Sequence, residues 1–222
     1  GAIIPASPDA LAPFDEFHIG GRKATAPLID GLKLSQGQRV LDMGCGLGGS
    51  ARYAARSGAS VVGVDVTAEF VAVGRDLTEI SGLSDRVKHV RASLLDMPFE
   101  NDLFDACFMI HVGMNIADKH GIAAEAARVL KPGGRFAIYD IMRLREGDLT
   151  YPVPWATSPR QSSVVHPERY RFALENAGFE ILSETNRADF ALDFYKKMAA
   201  DPGAPMHLGQ TLLMGDKAEA KL

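Results

Sequence analysis

Apolar residues along the first two-thirds of the chain fall into two alternating patterns. Short, nearly continuous apolar runs at 39–42, 60–65, 87–91, 105–110 and 135–139 read as buried strands. Between them, residues 50–57, 68–80 and 118–130 return apolar positions at helical spacing. Lys131-Pro-Gly-Gly134 reads as the turn into the fifth strand. Strands and helices in alternation point to βαβ units, and so to an α/β fold with a doubly wound, mostly parallel sheet.

The flanks lack this rhythm. Residues 1–13, with Pro5, Pro8 and Pro13, read as an irregular arm, and 14–34 as loosely helical with a break at Gly20-Gly21. Residues 141–165 carry Pro152, Pro154, Pro159 and the single tryptophan, Trp155, with no period. A long irregular segment inside a compact domain is usually a lid or a binding loop. Beyond it, 167–177 reads as a helix closed by Gly178, 179–183 as a sixth strand and 189–200 as a further helix. A turn at 202–205, an optional strand at 210–213 and a helical run at 217–222 complete the pattern.

Composition narrows the function. With 222 residues, 46% of them hydrophobic, the chain can bury a full core as one domain, so its two cysteines are not a disulfide framework. Cys45 and Cys107 form no CxxC pair and the six histidines show no HExxH spacing, so no metal site is expected. A net charge of -4 speaks against a nucleic-acid partner. No apolar run approaches the roughly 20 residues of a membrane span. Gly1 reads as a processed or engineered end without a signal peptide, and a cytoplasmic setting as monomer or homodimer is expected.

The chemistry begins at Asp42-Met-Gly44-Cys-Gly46-Leu-Gly48-Gly49, between the first strand and its helix. Gly44, Gly46 and Gly49 satisfy the dinucleotide pattern G-x-G-x-x-G, whereas Asp42 with Gly44, Gly46 and Gly48 satisfies the D-x-G-x-G-x-G pattern of S-adenosylmethionine sites. Asp65, ending the second strand, suits the ribose hydroxyls of either cofactor. Asp42 favours the second reading. An acid beside the helix N-terminus repels a pyrophosphate but suits an ammonium or a sulfonium.

Four stretches extend that reading: Val40-Leu-Asp-Met-Gly-Cys-Gly-Leu-Gly48, Val62-Gly-Val-Asp65, Met97-Pro-Phe99 with Phe104-Asp105, and Arg128-Val-Leu-Lys-Pro-Gly-Gly134. In these the chain resembles the class I S-adenosylmethionine-dependent methyltransferases over about residues 36–140. The small-molecule branch, with its ubiquinone-type and sarcosine/dimethylglycine-type enzymes, is the nearest match. The resemblance implies a Rossmann-like methyltransferase fold as one domain over 1–222. Its parts would be an N-terminal helical cap (1–34), a cofactor-binding core (36–140), a lid after the fifth strand (141–165) and a C-terminal part (166–222). It further implies that Gly44, Gly46 and Gly48 line the methionine end of S-adenosylmethionine, that Asp65 holds the ribose, and that Val66, Ser93 and Leu94 surround the adenine. His111 would face the methionine end, and S-adenosylhomocysteine would be the product. No metal is implied.

Methyl transfer is an in-line displacement that needs alignment and a dry site, and a base only where the acceptor loses a proton. His111 is the first candidate for contact with a small-molecule acceptor, as a general base titrating near about 6–7 or as packing. Asn115 and His18 are the further catalytic candidates. Phe17, His18 and Arg22 are expected to form one wall of the acceptor pocket, and Met114, Asn115 and Trp155 another. Two rivals remain at this stage. A nicotinamide-nucleotide oxidoreductase would want a Tyr-x-x-x-Lys pair, which neither Tyr139 nor Tyr151 supplies; a non-catalytic cofactor-binding module of the same fold is the other.

Overall fold

The computed structural model describes residues 6–200. Among these residues five strands form one parallel sheet in the order β3-β2-β1-β4-β5. They are β1 (Arg39–Met43), β2 (Ser60–Asp65), β3 (Val87–Arg91), β4 (Phe104–Ile110) and β5 (Leu130–Tyr139). Helices α1 (Pro8–Asp15) and α2 (Arg22–Gly31) precede the sheet, and α3 (Gly49–Ala54), α4 (Ala68–Ile80) and α5 (Lys119–Val129) connect its strands. Helices α6 (Pro167–Asn176) and α7 (Ala188–Ala200) follow it.

The continuous apolar runs arise because both faces of the sheet are covered. Leu41, Met43, Cys107 and Met109 pack on Ile122, Ala126 and Val129 of α5 and on Tyr170 of α6. Their alternate neighbours, Val40, Val61, Ala106 and Phe108, pack on Ile29 of α2 and on Ala51 and Ala54 of α3. Phe104 and Phe108 are fully buried, each burial stabilising the fold by about 1.5–3 kcal/mol. β1 pairs with β2 on one side and with β4 on the other. The winding therefore reverses at β1, and a crevice opens beyond the carboxyl ends of β1 and β4, where doubly wound sheets bind ligands.

Three sequence expectations are corrected. The arm is helical from Pro8, because a proline in the first turn loses no hydrogen bond and Ser7 Oγ accepts from the Ala10 N–H at 3.1 Å. Among the described residues, 179–187 form no strand: Phe179 packs against Phe136 but Leu182 is 72% exposed, and none of the described strands pairs with the segment. β5 begins at Leu130, since Leu130 pairs with Phe104 and Arg135 with Ala106, leaving the glycine turn as a bulge between two paired points. The elements expected at 202–205, 210–213 and 217–222 lie outside the described residues.

Candidate active site

The crevice is a cavity of about 630 Å³, within the ordinary range of small-molecule sites. The loop after β1, the ends of β2 and β4, the segments after β3 and β5, and α7 all contribute to its wall.

The glycines of the loop do different work. Gly46, at φ +51, faces the cavity, and a Cβ there would meet nothing nearer than the Phe17 ring at 3.4 Å. Gly48, at φ +80, faces the protein, where a Cβ would lie 2.3 Å from His89. The expectation that Gly48 lines the cofactor is therefore corrected: it is glycine so that His89 and Arg52 can pack beneath the loop. Asp65 accepts from the Gly46 N–H and the Thr67 N–H, both at 2.9 Å, through different oxygens. Each oxygen keeps a lone pair for a ligand. Val66, 66% exposed, lines the cavity together with the exposed Ser93 and the buried Leu94. Ser93 Oγ accepts from the Leu95 N–H at 3.1 Å and keeps its own proton to donate.

One end of the cavity is acidic. Asp42 lines it with 1% exposure and an Oδ2 that has no partner. Burial first, then the Asp65 and Glu16 charges, pushes its carboxyl well above the usual range. Asp15 of α1 lines the same end, paired through Oδ2 with the fully buried Arg52 at 2.5 Å. Arg52 also donates to the Leu47 and Gly74 carbonyls and to Thr78, fixing the loop against α4. Sequence reading passed over Asp15 in favour of its neighbours. Arg22 is corrected from pocket wall to anchor: it binds Glu16 and Asp9 and lies 4.5 Å above the Tyr53 ring, away from the cavity.

The other end is aromatic and uncharged. His111 follows β4 at φ +53, a left-handed conformation that non-glycine residues adopt at a cost. Its N–H bonds the Tyr139 carbonyl at 2.8 Å, which aims the ring into the cavity beside His18, centroid to centroid 5.6 Å. Among the described residues none hydrogen-bonds the His111 ring; burial and then the His18 ring hold its pKa well below the ordinary value. Its base form is the resting form at neutral pH, so the titration expected near 6–7 moves lower. His18 is also held neutral, at about 4, mainly by burial. Its Nε2 lies 3.0 Å from Thr25 Oγ1 and its Nδ1 3.4 Å from the Ile19 carbonyl. Both nitrogens are engaged, which corrects the catalytic expectation for His18 and leaves it as wall beside Phe17.

Asn115 lines the cavity, and its amide donates to the Trp155 and Gln161 carbonyls, both at 3.0 Å, so its N–H groups tie down residues 155 and 161 and are not free for an acceptor. Lys119 does the same from below, donating to the carbonyls of Gly113 (2.7 Å), Ser163 (2.9 Å) and Ile116. A lysine at the first residue of a helix opposes the helix dipole, and that was the overlooked signal for it. Behind it Asp140, pushed up to about 6 by burial, accepts from Tyr170 at 2.6 Å. Met114 and Trp155 also line the cavity, as do Phe194 and Tyr195 of α7. Among the described residues no group of three or more His, Cys, Asp or Glu is placed to hold a metal.

Sheet order, glycine loop and strand-end cavity together define a class I S-adenosylmethionine-dependent methyltransferase fold. Residues 41–138 match the family model described as "Methyltransferase domain". The chain is 35% identical over 183 residues to the methyltransferase GfsG of Streptomyces halstedii, covering 81% of this chain and 65% of that one. It is 31% identical over 210 residues to a sterol 24-C-methyltransferase of Yarrowia lipolytica, covering 85% and 53%. The chain thus spans between half and two-thirds of the length of these two relatives. Among solved structures, a geranyl diphosphate C-methyltransferase from Streptomyces coelicolor superposes with a TM-score of 0.72 at 22% identity, covering 84% and 73%. The cyclase SpnF superposes at 0.69 and 26% identity, covering 89% and 74%. Nothing in the matches supports the nicotinamide reading.

Proposed function

We propose that the chain moves a methyl group from S-adenosylmethionine to an uncharged, largely apolar small molecule that carries a dissociable proton. The observation that carries this reading is the polarity of the cavity: unpartnered, buried carboxylate oxygens at one end and neutral aromatic side chains at the other. The residues fit the donor. Asp42 meets the ammonium, Asp65 the ribose hydroxyls, and Val66, Ser93 and Leu94 the adenine. Bound there, the donor supplies an electrophilic methyl carbon. The rest falls to this chain. Asn115 and Lys119 hold the lid shut over the site, so that Trp155 and Met114 exclude water and align the acceptor. The neutral His111 imidazole takes the acceptor's proton as the new bond to carbon forms.

Acceptor polarity follows from the lining. No lysine or arginine lines the cavity among the described residues, so a phosphorylated acceptor would be desolvated without a counter-charge. The phosphoethanolamine and geranyl diphosphate enzymes that share the fold therefore do not supply the acceptor class. A reducing cytoplasm is the setting we propose, as Cys45 and Cys107 are both free thiols. No helix among the described residues is long and apolar enough to cross a membrane.

The test is turnover to S-adenosylhomocysteine with paired acceptors, each apolar hydroxyl compound set beside its phosphate ester. Turnover with the free hydroxyl compounds alone supports the reading. Turnover favouring the esters refutes the acceptor class, and absence of S-adenosylmethionine binding refutes the reaction. The cyclase that shares the fold shows why the second measurement is needed: the fold hosts more than one chemistry.

A further inference from the structure

Asp15 closes α1, outside the segment that matches the family model. Its carboxylate is used on one side only. Oδ2 takes the Arg52 guanidinium at 2.5 Å, whereas Oδ1 has no hydrogen-bond partner although the residue is 5% exposed and lines the acidic end of the cavity. A Cβ on Gly49, the first residue of α3, would lie 2.5 Å from that oxygen. The free oxygen thus rests where the glycine loop turns into its helix. A second unpartnered oxygen, Oδ2 of the 1%-exposed Asp42, lines the same end.

Buried acceptors without a donor are costly, so a fold that retains two of them at one place is built for a donor that arrives from outside. Charge says which kind. Asp42 feels the negative charges of Asp65 and Glu16 against the single guanidinium of Arg52. Asp15 adds Arg22 at longer range, but that guanidinium is already occupied by Glu16 and Asp9. The complement is a cation with several N–H donors and little bulk, because Gly49 leaves room for the oxygen and for nothing behind it. A primary ammonium has this form.

We propose that Asp15 is a donor-binding residue, its Oδ1 accepting a hydrogen bond from the ammonium of the methyl donor's amino-acid end. This rests on the donor assignment made above and extends it: α1 becomes a wall of the donor site, and donor affinity depends on a segment that lies outside the core domain. Asp42 and Asp15 then grip the ammonium from two sides, while Arg52 opposes the upward push of burial on the Asp15 carboxyl and holds it in place.

The test is calorimetric binding of S-adenosylhomocysteine and of 5'-methylthioadenosine, which lacks the amino-acid end, to wild type and Asp15→Asn. The amide keeps the shape and an oxygen for Arg52 but loses the charge. The expected result is a loss of about tenfold or more in affinity for S-adenosylhomocysteine, with 5'-methylthioadenosine unchanged. Equal losses for both ligands, or no loss for either, overturn the inference while leaving the donor assignment standing. Failure of wild type to bind either ligand overturns both. Should Asp15→Asn not fold, the crystal structure of wild type with S-adenosylhomocysteine decides. An ammonium nitrogen within about 3.2 Å of Oδ1 supports the inference, and one beyond about 4 Å ends it.

Discussion

The ammonium of Lys119 and the carbonyl of Ser163, 2.9 Å apart, join the first residue of α5 to the far end of the lid. The same ammonium holds the Gly113 and Ile116 carbonyls, on the segment that carries Met114 and Asn115. Two walls of the cavity are thus set against each other by one buried charge. Lys119→Met should leave three carbonyls without their donor and destabilise the fold by about 2–4 kcal/mol. Hydrogen exchange in residues 153–163 should quicken far more than in β1 or β4. The KM of the acceptor should rise more than the Kd of S-adenosylhomocysteine. Uniform acceleration of exchange across the sheet would show the lysine to be ordinary core and not a tie on the lid.

Gly46 and Gly48 separate ligand from fold. At Gly46 an alanine has space but sits at φ +51, so Gly46→Ala should cost the unliganded protein about 1–2 kcal/mol, chiefly as backbone strain. Binding of S-adenosylhomocysteine should fall tenfold or more. At Gly48 the added carbon meets His89 at 2.3 Å, and Gly48→Ala should lower the unliganded melting temperature by more than Gly46→Ala does. Melting curves of both variants with and without ligand check this. The reverse ranking would place the ligand against Gly48.

His18 sets a pH dependence. Its folded pKa is lowered from 6.5 to about 4, so between those values the unfolded chain binds a proton that the folded chain does not. Stability from this group is full above pH 6.5 and is lost as pH falls towards 4. His18→Gln, whose amide can still meet Thr25, should reduce the slope of unfolding free energy against pH by up to about 1.4 kcal/mol per unit in that window. The raised carboxyls of Asp42 and Asp140 act in the opposite sense, so the difference between variant and wild type is the quantity to measure. Parallel curves would mean that His18 is protonated in the folded protein.

The strands were legible in the sequence because a parallel sheet covered on both faces leaves continuous apolar runs, and the run at 87–91 and the helix at 68–80 fell on the observed bounds. The first helix was hidden by three prolines, one of which sits where a helix tolerates it. Phe179 misled because a single packed aromatic imitates a strand when its exposed neighbour, Leu182, cannot be seen to be exposed. In the site, motifs locate backbone positions well and side-chain duties poorly. Asp42, Gly46 and Asp65 sit on the cavity because strand ends put them there. The duties of Asn115, Lys119, Arg22 and Asp15 depend on partners from 3 to 46 residues away, a pairing that only the fold decides.

His111 provides the sharpest test of chemistry. Its ring borders the cavity without a hydrogen bond from the described residues, on a backbone held at φ +53, and burial keeps it in the base form. A residue that only packed against the donor would not require that strain, since a glycine or asparagine adopts the conformation more readily. As proton acceptor, His111 should give kcat a limb that falls only below pH 6.5, because its pKa lies well under the free value. His111→Gln should remove that limb and reduce kcat by about 10²–10⁴-fold, with the Kd of S-adenosylhomocysteine changed little. The comparison belongs at one fixed pH, near 7.5, with donor and acceptor saturating, so that ionisation of the acceptor itself cancels. Small, equal changes in kcat and in donor affinity would reduce His111 to a packing residue. The acceptor would then have to reach the transition state on alignment alone, and the requirement for a dissociable proton would fall with it.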